Sequence, residues 1–309
     1  ERVTGSVDLY KRTTKDLLFN YPVATPPYLY SSIFANAASM ENKGIEVNLN
    51  AQIVKKKDFS WTSSVNYSTN KNKLLSLSDK NFQLASGYFD AGNTSEPIQQ
   101  PTHRVQIGKP IGNFWGFKSV GVDEKGHWII EGKDGKPKPI SAQTADDKQV
   151  IGNGLPKTYL SWNNDIRYKD VDLNITMRGA FGFQVLNMSR LFYSAPIMLT
   201  RGNLLTTAYD KVYGQYPLAD DQELQYVSYY IENGNYWKID NVTLGYNLHL
   251  DSKYIKGIRI YVSSSNIKTF TGYKGIDPEV NILGMDPGVD DKYRYPSTIS
   301  YTMGLFFTF

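Results

Sequence analysis

The chain has no cysteine in its 309 residues. Disulfides, thiolate metal sites and cysteine nucleophiles are therefore excluded. No apolar run approaches the ~18–20 residues of a membrane-spanning helix. That excludes a helical membrane protein but not a barrel, in which half of each strand is polar. Histidine is scarce: His103, His127 and His249 are the three present. None has a second histidine or a carboxylate pair at metal-ligand spacing, and His249 falls in a predicted short turn where it is solvated. No Gly-x-Ser-x-Gly elbow occurs. Charge is nearly balanced, with 34 basic and 30 acidic residues. The longest basic block is Lys55-Lys56-Lys57, so no nucleic-acid surface is indicated. There is no initiator methionine and no signal sequence. Glu1 immediately precedes a strand-like stretch, 3–10, which reads as the carboxy-terminal part of a longer polypeptide.

Aromatic residues are abundant: 23 Tyr, 14 Phe and 5 Trp. The most informative stretch is the end of the chain. From Ile299 every second residue is apolar: Ile299, Tyr301, Met303, Leu305, Phe307, Phe309. The residues between them are small or hydroxylic except Phe306. Alternation of period two places one face of a strand in an apolar medium and the other in a polar one. The stretch is long enough for a membrane-spanning strand, which needs roughly 9–11 residues. The same alternation recurs at 45–53, 59–68, 171–181, 242–248 and 258–263. It is weaker at 3–10, 158–168 and in two short arms around 104–109 and 114–120.

These segments make about ten strands, joined alternately by short and long connections. The short turns are 54–57, 110–113, 169–170 and 249–255. The long connections are roughly 11–43, 69–103, 121–157, 183–235 and 267–297, and the 183–235 connection is partly helical by pattern. Short turns on one side and long loops on the other are the habit of outer-membrane barrels. Trp61, Tyr67, Trp162, Tyr168, Tyr246, Phe307 and Phe309 suit interfacial girdles. The inward set includes Glu46, Asn48, Asp172, Asn174 and Arg178. Lysine at Leu305, taken as lying at the membrane midplane, is expected to block assembly.

The loops offer no catalytic constellation. Acidic clusters at Asp146-Asp147, Asp220-Asp221-Gln222-Glu223 and Asp286 to Asp291 lack EF-hand spacing and read as solvated. No metal or cofactor is expected. The loop aromatics Trp128, Tyr213, Tyr216, Tyr229 and Tyr230 are candidates for stacking on a ligand, with loop packing as the alternative for each.

Five ordered blocks resemble a known family. They are Asn42-Lys43-Gly44-Ile45-Glu46; Gly108-Lys109-Pro110-Ile111-Gly112-Asn113-Phe114-Trp115-Gly116-Phe117; Glu232-Asn233-Gly234-Asn235-Tyr236-Trp237-Lys238-Ile239-Asp240-Asn241-Val242-Thr243-Leu244-Gly245-Tyr246; Asn266-Ile267-Lys268-Thr269-Phe270-Thr271-Gly272-Tyr273-Lys274-Gly275-Ile276-Asp277-Pro278-Glu279-Val280; and Asp290-Asp291-Lys292-Tyr293-Arg294-Tyr295-Pro296 with the terminal strand. Together they resemble SusC/RagA-type TonB-dependent transporters. Trp237-Lys238 and Asp291-Lys292-Tyr293 depart from the usual pattern.

The resemblance implies an all-β fold, a transmembrane antiparallel barrel of about 22 strands closed around a plug. Residues 1–309 would supply the carboxy-terminal barrel portion, with plug and first strands elsewhere. It further implies import of oligosaccharides or oligopeptides across the bacterial outer membrane, not catalysis. The implied partners are a SusD-like surface lipoprotein, the TonB complex, lipid and a second copy of the SusCD pair. Phe309, with Phe307, resembles the barrel-assembly signal. The alternatives are an outer-membrane barrel enzyme and a soluble all-β glycan-binding module.

Overall fold

The computed structural model describes residues 2–23, 25–26, 29–77, 86–252 and 254–309. Eight antiparallel strands form one sheet in chain order. They are β1 (Val3–Pro22), β2 (Ser32–Lys55), β3 (Phe59–Ser76), β4 (Thr158–Tyr168), β5 (Val171–Phe181), β6 (Tyr236–His249), β7 (Gly257–Thr271) and β8 (Ser300–Thr308). The sheet is an open arc with β1 and β8 at its two edges.

Register turns the local alternation into two faces. Val47, Tyr67, Leu160, Gly179, Trp237 and Phe270 lie side by side across six strands. One residue along, Ser6, Asn48, Asn66, Ser161, Arg178 and Lys238 form a polar row on the opposite face. The polar face satisfies much of itself. Asn48 donates to Asn66, Ser64 donates to Asn50 at 2.5 Å, and Asn66 donates to Ser161 at 3.2 Å. Two of the polar groups on the apolar face are each covered by an indole. Trp61 Nε1 donates to Asn164 Oδ1 at 3.1 Å, and Trp162 Nε1 donates to Ser63 Oγ at 2.8 Å. A polar group facing hydrocarbon without a partner costs several kcal/mol, so these pairs belong to a lipid-facing surface.

Aromatics mark two levels of that surface. Tyr67, Trp237 and Phe270 share the row nearest the long loops; Phe59, Tyr168 and Tyr246 share the row nearest the short turns. On β5 the two rows are Gly179 and Val171. Eight residues span roughly 26 Å along a strand, or about 20 Å of height at a tilt of about 40°, which fits within the ~25 Å apolar band of a barrel. The central row holds Ile175, Val242, Ser264 and Tyr301. Leu305 pairs with Ile260 opposite Tyr246, in the row at the short-turn end. It therefore lies near an interface and not at the midplane.

Eight strands, not about ten, make the wall. The arms expected around 104–109 and 114–120 are the short strands His103–Gln106 and Asn113–Phe117, in a separate four-stranded sheet. They are four and five residues long and largely buried, too short to cross a bilayer. The turn at 110–113 accordingly leaves the set of short turns. β1 and β2 also run further than their alternation suggests, so the expected 11–43 connection shrinks to 23–31. The long-short alternation itself survives.

The long segments 86–157, 182–235 and 272–299 fold together as a cap at one end of the wall. Its core contains Phe114, Phe117, Trp128, Ile130, Leu191, Phe192 and Tyr226. The expected helical part of 183–235 is Met188–Tyr193, whose Asn187 side chain accepts from Arg190 N at 3.0 Å. That bond satisfies one of the free N–H groups of the first turn.

Candidate functional site

A cleft of about 690 Å³ lies between the polar face of the wall and residues 278–282, which fold down from the cap. Its walls carry Ser6, Asp8, Glu46, Asn48, Asn66 and Ser161, with Arg178 and Glu279 at the cap side. Tyr159 and Tyr236 contribute rings; Tyr159 is exposed and Tyr236 is buried.

The 272–299 segment is tied down along its length and acts as a strap. An Asx turn opens its descending part, where Asp277 Oδ1 accepts from Glu279 N at 2.9 Å. Ser297 donates to the other Asp277 oxygen, and Arg294 donates to the carbonyls of Asp277 (3.2 Å) and Glu279 (2.5 Å). The Glu279 carboxylate then receives a two-pronged bond from the Arg178 guanidinium and a third from Lys238 Nζ at 3.0 Å. Arg178 also pairs with Asp240 at 3.1 Å. Burial alone would raise the Glu279 carboxyl. The hydrogen bonds and charges of Arg178 and Lys238 outweigh it and hold the group below the ordinary carboxylate range.

The strap is pinned again nearer the cap core. Tyr273 OH donates to Asp290 Oδ2 at 2.7 Å, and burial with the Asp290 charge pushes the phenol well above its usual range. His103 Nε2 lies 2.9 Å from the Pro287 carbonyl, and Nδ1 lies 2.8 Å from Thr102 Oγ1. The carbonyl can only accept, so Nε2 carries the proton and Nδ1 accepts from the hydroxyl. Burial lowers the His103 pKa to about 4, against the opposing pull of the Pro287 bond. A Cβ at Gly154 would overlap the Pro287 carbonyl, so the strap passes there against bare backbone.

Four of the five aromatic candidates come together in the cap. Trp128 packs on Tyr229 and Tyr230, with ring centroids 5.4 and 5.9 Å away, and Tyr213 meets Tyr229 edge-on at 5.0 Å. Trp128 and Tyr230 are wholly buried and offer no ring face at the surface. Tyr213 and Tyr216 are about half exposed. Tyr213 OH lies 2.8 Å from Ser119 Oγ, and its backbone is left-handed (φ 51°). Phe307 stands on the outward face at the wall's last edge, and Phe309, one residue past the strand, is exposed.

The inward residues Glu46, Asn48 and Arg178 line the cleft as their parity indicates. Sequence reasoning missed Glu279, Tyr159 and Tyr236 as cleft residues. Alternation carries Tyr159 and Tyr236 onto the inner rows through their strand partners Ser68 and Ala180. Nothing local marks Glu279, whose partner Arg178 is 101 residues away.

His103 spends both ring nitrogens on structural bonds, and His127 faces Asp123 and Asp221 at an exposed turn. Among the described residues, no group of three or more His, Asp or Glu side chains could hold a metal ion.

An arc of strands with an apolar convex face, aromatic rows and a polar concave face defines a transmembrane β-barrel wall. A family model described as TonB dependent receptor-like, beta-barrel, matches residues 1–172, and the chain belongs to that family. TonB-dependent receptor P3 of Formosa agariphila is 30% identical over 98% of the chain and 32% of its own length. TonB-dependent receptor SusC of Bacteroides thetaiotaomicron is 27% identical over 98% of the chain and 30% of its own length. A solved structure of the RagAB peptide importer in its closed-closed state superposes with a TM-score of 0.81 at 24% identity, covering 100% of the chain and 34% of that protein. The chain thus spans about a third of the length of the relatives it matches.

Proposed function

We propose that residues 1–309 are the carboxy-terminal part of the barrel domain of a SusC/RagA-type importer in the bacterial outer membrane. The importer takes up oligomeric nutrients, oligosaccharides or oligopeptides. Plug and first strands close the arc from sequence outside this chain, a SusD-like lipoprotein covers the mouth, and TonB supplies the energy. Two such pairs associate. Tyr213 and Tyr216 meet the arriving oligomer on the cap, while Tyr229, packed with Trp128 and Tyr230, braces Tyr213. Phe309 and Phe307 serve as the assembly signal.

The observation that carries this reading is the pair of opposed faces. The apolar row through Val47, Tyr67 and Trp237 is turned outward, and the cleft with Asn48, Asn66 and Arg178 is turned inward. A soluble glycan-binding module would bury the first face. An import barrel needs it in lipid and needs the second around its cargo path.

The test uses the full-length receptor with its neighbouring lipoprotein in an outer-membrane host. Uptake of defined oligosaccharide and peptide mixtures is followed with and without TonB. The expected result is uptake of one class that disappears without TonB. Equal uptake in both strains, or a receptor recovered without detergent, would overturn the proposal.

A further inference from the structure

The cleft has an unusual charge balance. Five carboxylates stand in or beside it: Asp8, Glu46, Asp240, Asp277 and Glu279. Two cations, Arg178 and Lys238, stand with them. Both cations are committed, Arg178 to Glu279 and Asp240, and Lys238 to Glu279 with Asp277 at 4.0 Å. Asp8 and Glu46 are not committed. They face one another across β1 and β2 in register, and neither makes an ion pair among the described residues. Directly opposed like charges destabilise a strand pair. The nearest cation on the same face of β1, Arg12, is four residues further along, roughly 13 Å away, beyond the Debye length of about 8 Å at physiological salt.

The remaining lining residues are uncharged: the polar ones include Ser6, Asn48, Asn66, Ser68 and Ser161, and the rest are aromatic or apolar. The cleft therefore presents negative potential, hydroxyls, amides, an aromatic face and apolar patches, and among the described residues its lining holds no free cation to receive a carboxylate, sulfate or phosphate. From this geometry we infer that the cleft is a charge filter: it admits uncharged and cationic oligomers and rejects polyanionic ones. Asp8 and Glu46 set its sign. The strap contributes by neutralising Arg178 and Lys238, the two cations that would otherwise attract an anion. That oligomers pass through the cleft rests on the import reading; the negative potential of the cleft does not.

This chain has no cysteine of its own, so once any cysteine elsewhere in the receptor is replaced by serine, a single introduced thiol reports on the cleft. Ser68, in register with Glu46 on one side and Tyr159 on the other, is replaced as Ser68→Cys in the full-length receptor in outer membranes. The thiol is labelled with a cationic and an anionic methanethiosulfonate of similar size, and the rates are normalised to a free thiol. The expected outcome is a cationic preference of about tenfold or more at low salt, the scale on which charged clefts concentrate counter-ions. The preference should shrink at high salt and collapse in the Asp8→Asn/Glu46→Gln background.

Oligolysine should slow the labelling, and oligoglutamate of equal length should not. Equal reagent rates, an anionic preference, or protection by oligoglutamate would each overturn the inference. If Ser68→Cys fails to assemble, Ser6→Cys probes the adjoining row beside Asn48. Labelling needs neither TonB nor a known nutrient, so loss of uptake with an intact cationic preference would count against the import reading alone.

Discussion

The wall and the cap solve opposite problems with the same kinds of residue. In β8 the large side chains Tyr301, Met303, Leu305 and Phe307 all stand exposed at the surface of the arc. In the cap, Trp128, Phe114, Leu191 and Phe192 are almost wholly enclosed. The wall's apolar groups take lipid as their solvent, and its polar groups keep one another company on the concave face. The cap faces water and buries its apolar groups in the ordinary way. The difference teaches that exposure of a hydrophobic side chain is not by itself a defect or a docking site. Its meaning depends on the row it occupies and on what lies beside that row. It also separates the energetics, because a substitution that damages one region should leave the other standing.

The strongest test of that separation is Trp128→Ala. Removing a buried tryptophan from a packed core costs about 3–5 kcal/mol, and Trp128 touches Tyr229 and Tyr230 at the centre of the cap. The cap should become protease-sensitive while the receptor still assembles in the outer membrane with wild-type heat-modifiable mobility. Loss of membrane assembly would mean that cap and wall fold as one unit. Ile175→Lys tests the wall in the same manner. Ile175 sits in the central row of the outward face, where a lysine costs roughly 2–4 kcal/mol. Assembled receptor should fall sharply, with any assembled fraction keeping a protease-resistant cap.

The contrast also explains what could be read from the chain directly. The wall was legible because its signal is local: period-two alternation within one strand decides both faces, and register only aligns them. Two short arms were counted as wall strands because four or five alternating residues look alike whether they line a barrel or a small buried sheet. The cap was not legible because its core joins residues such as Phe114, Leu191 and Tyr226, which share no periodicity. The cleft was half legible. Glu46, Asn48 and Arg178 follow from parity, but Glu279 reaches Arg178 only after the strap has folded back. For the loop aromatics, composition raised the candidates, and burial then divided Trp128 and Tyr230 from Tyr213 and Tyr216.

Between about pH 4 and 6.5 a pH change should act on the cap through His103. His103 is neutral in the folded cap, with its pKa lowered to about 4 by burial, against about 6.5 in an unfolded chain. Between these values the unfolded state binds the extra proton, so stability rises with pH there. The contribution is complete above about pH 6.5, is lost as pH falls toward 4, and changes no further below that. The full loss is about 3 kcal/mol. Amide protection factors around Pro287 and Thr102, which divide out the intrinsic base-catalysed exchange rate, should fall as pH drops through this window, while those of the β4–β5 ladder hold. His103→Gln should remove the pH dependence of those protection factors. A profile unchanged by the substitution would place the titrating group elsewhere.

The smallest effect is the most discriminating for the wall. Leu305 was a natural choice for a midplane residue when the terminal strand was read alone, and a lysine there would then rival Ile175→Lys. The register instead puts Leu305 beside Ile260 and Tyr246, at the aromatic row of the short-turn end. There a lysine can extend its ammonium to the interface, and the penalty drops to about 0–1 kcal/mol. Leu305→Lys should therefore assemble at close to wild-type levels while Ile175→Lys does not. Equal failure of both would move the hydrocarbon boundary past Leu305 toward the short turns, and with it the assignment of Phe59, Tyr168 and Tyr246 to an interfacial girdle.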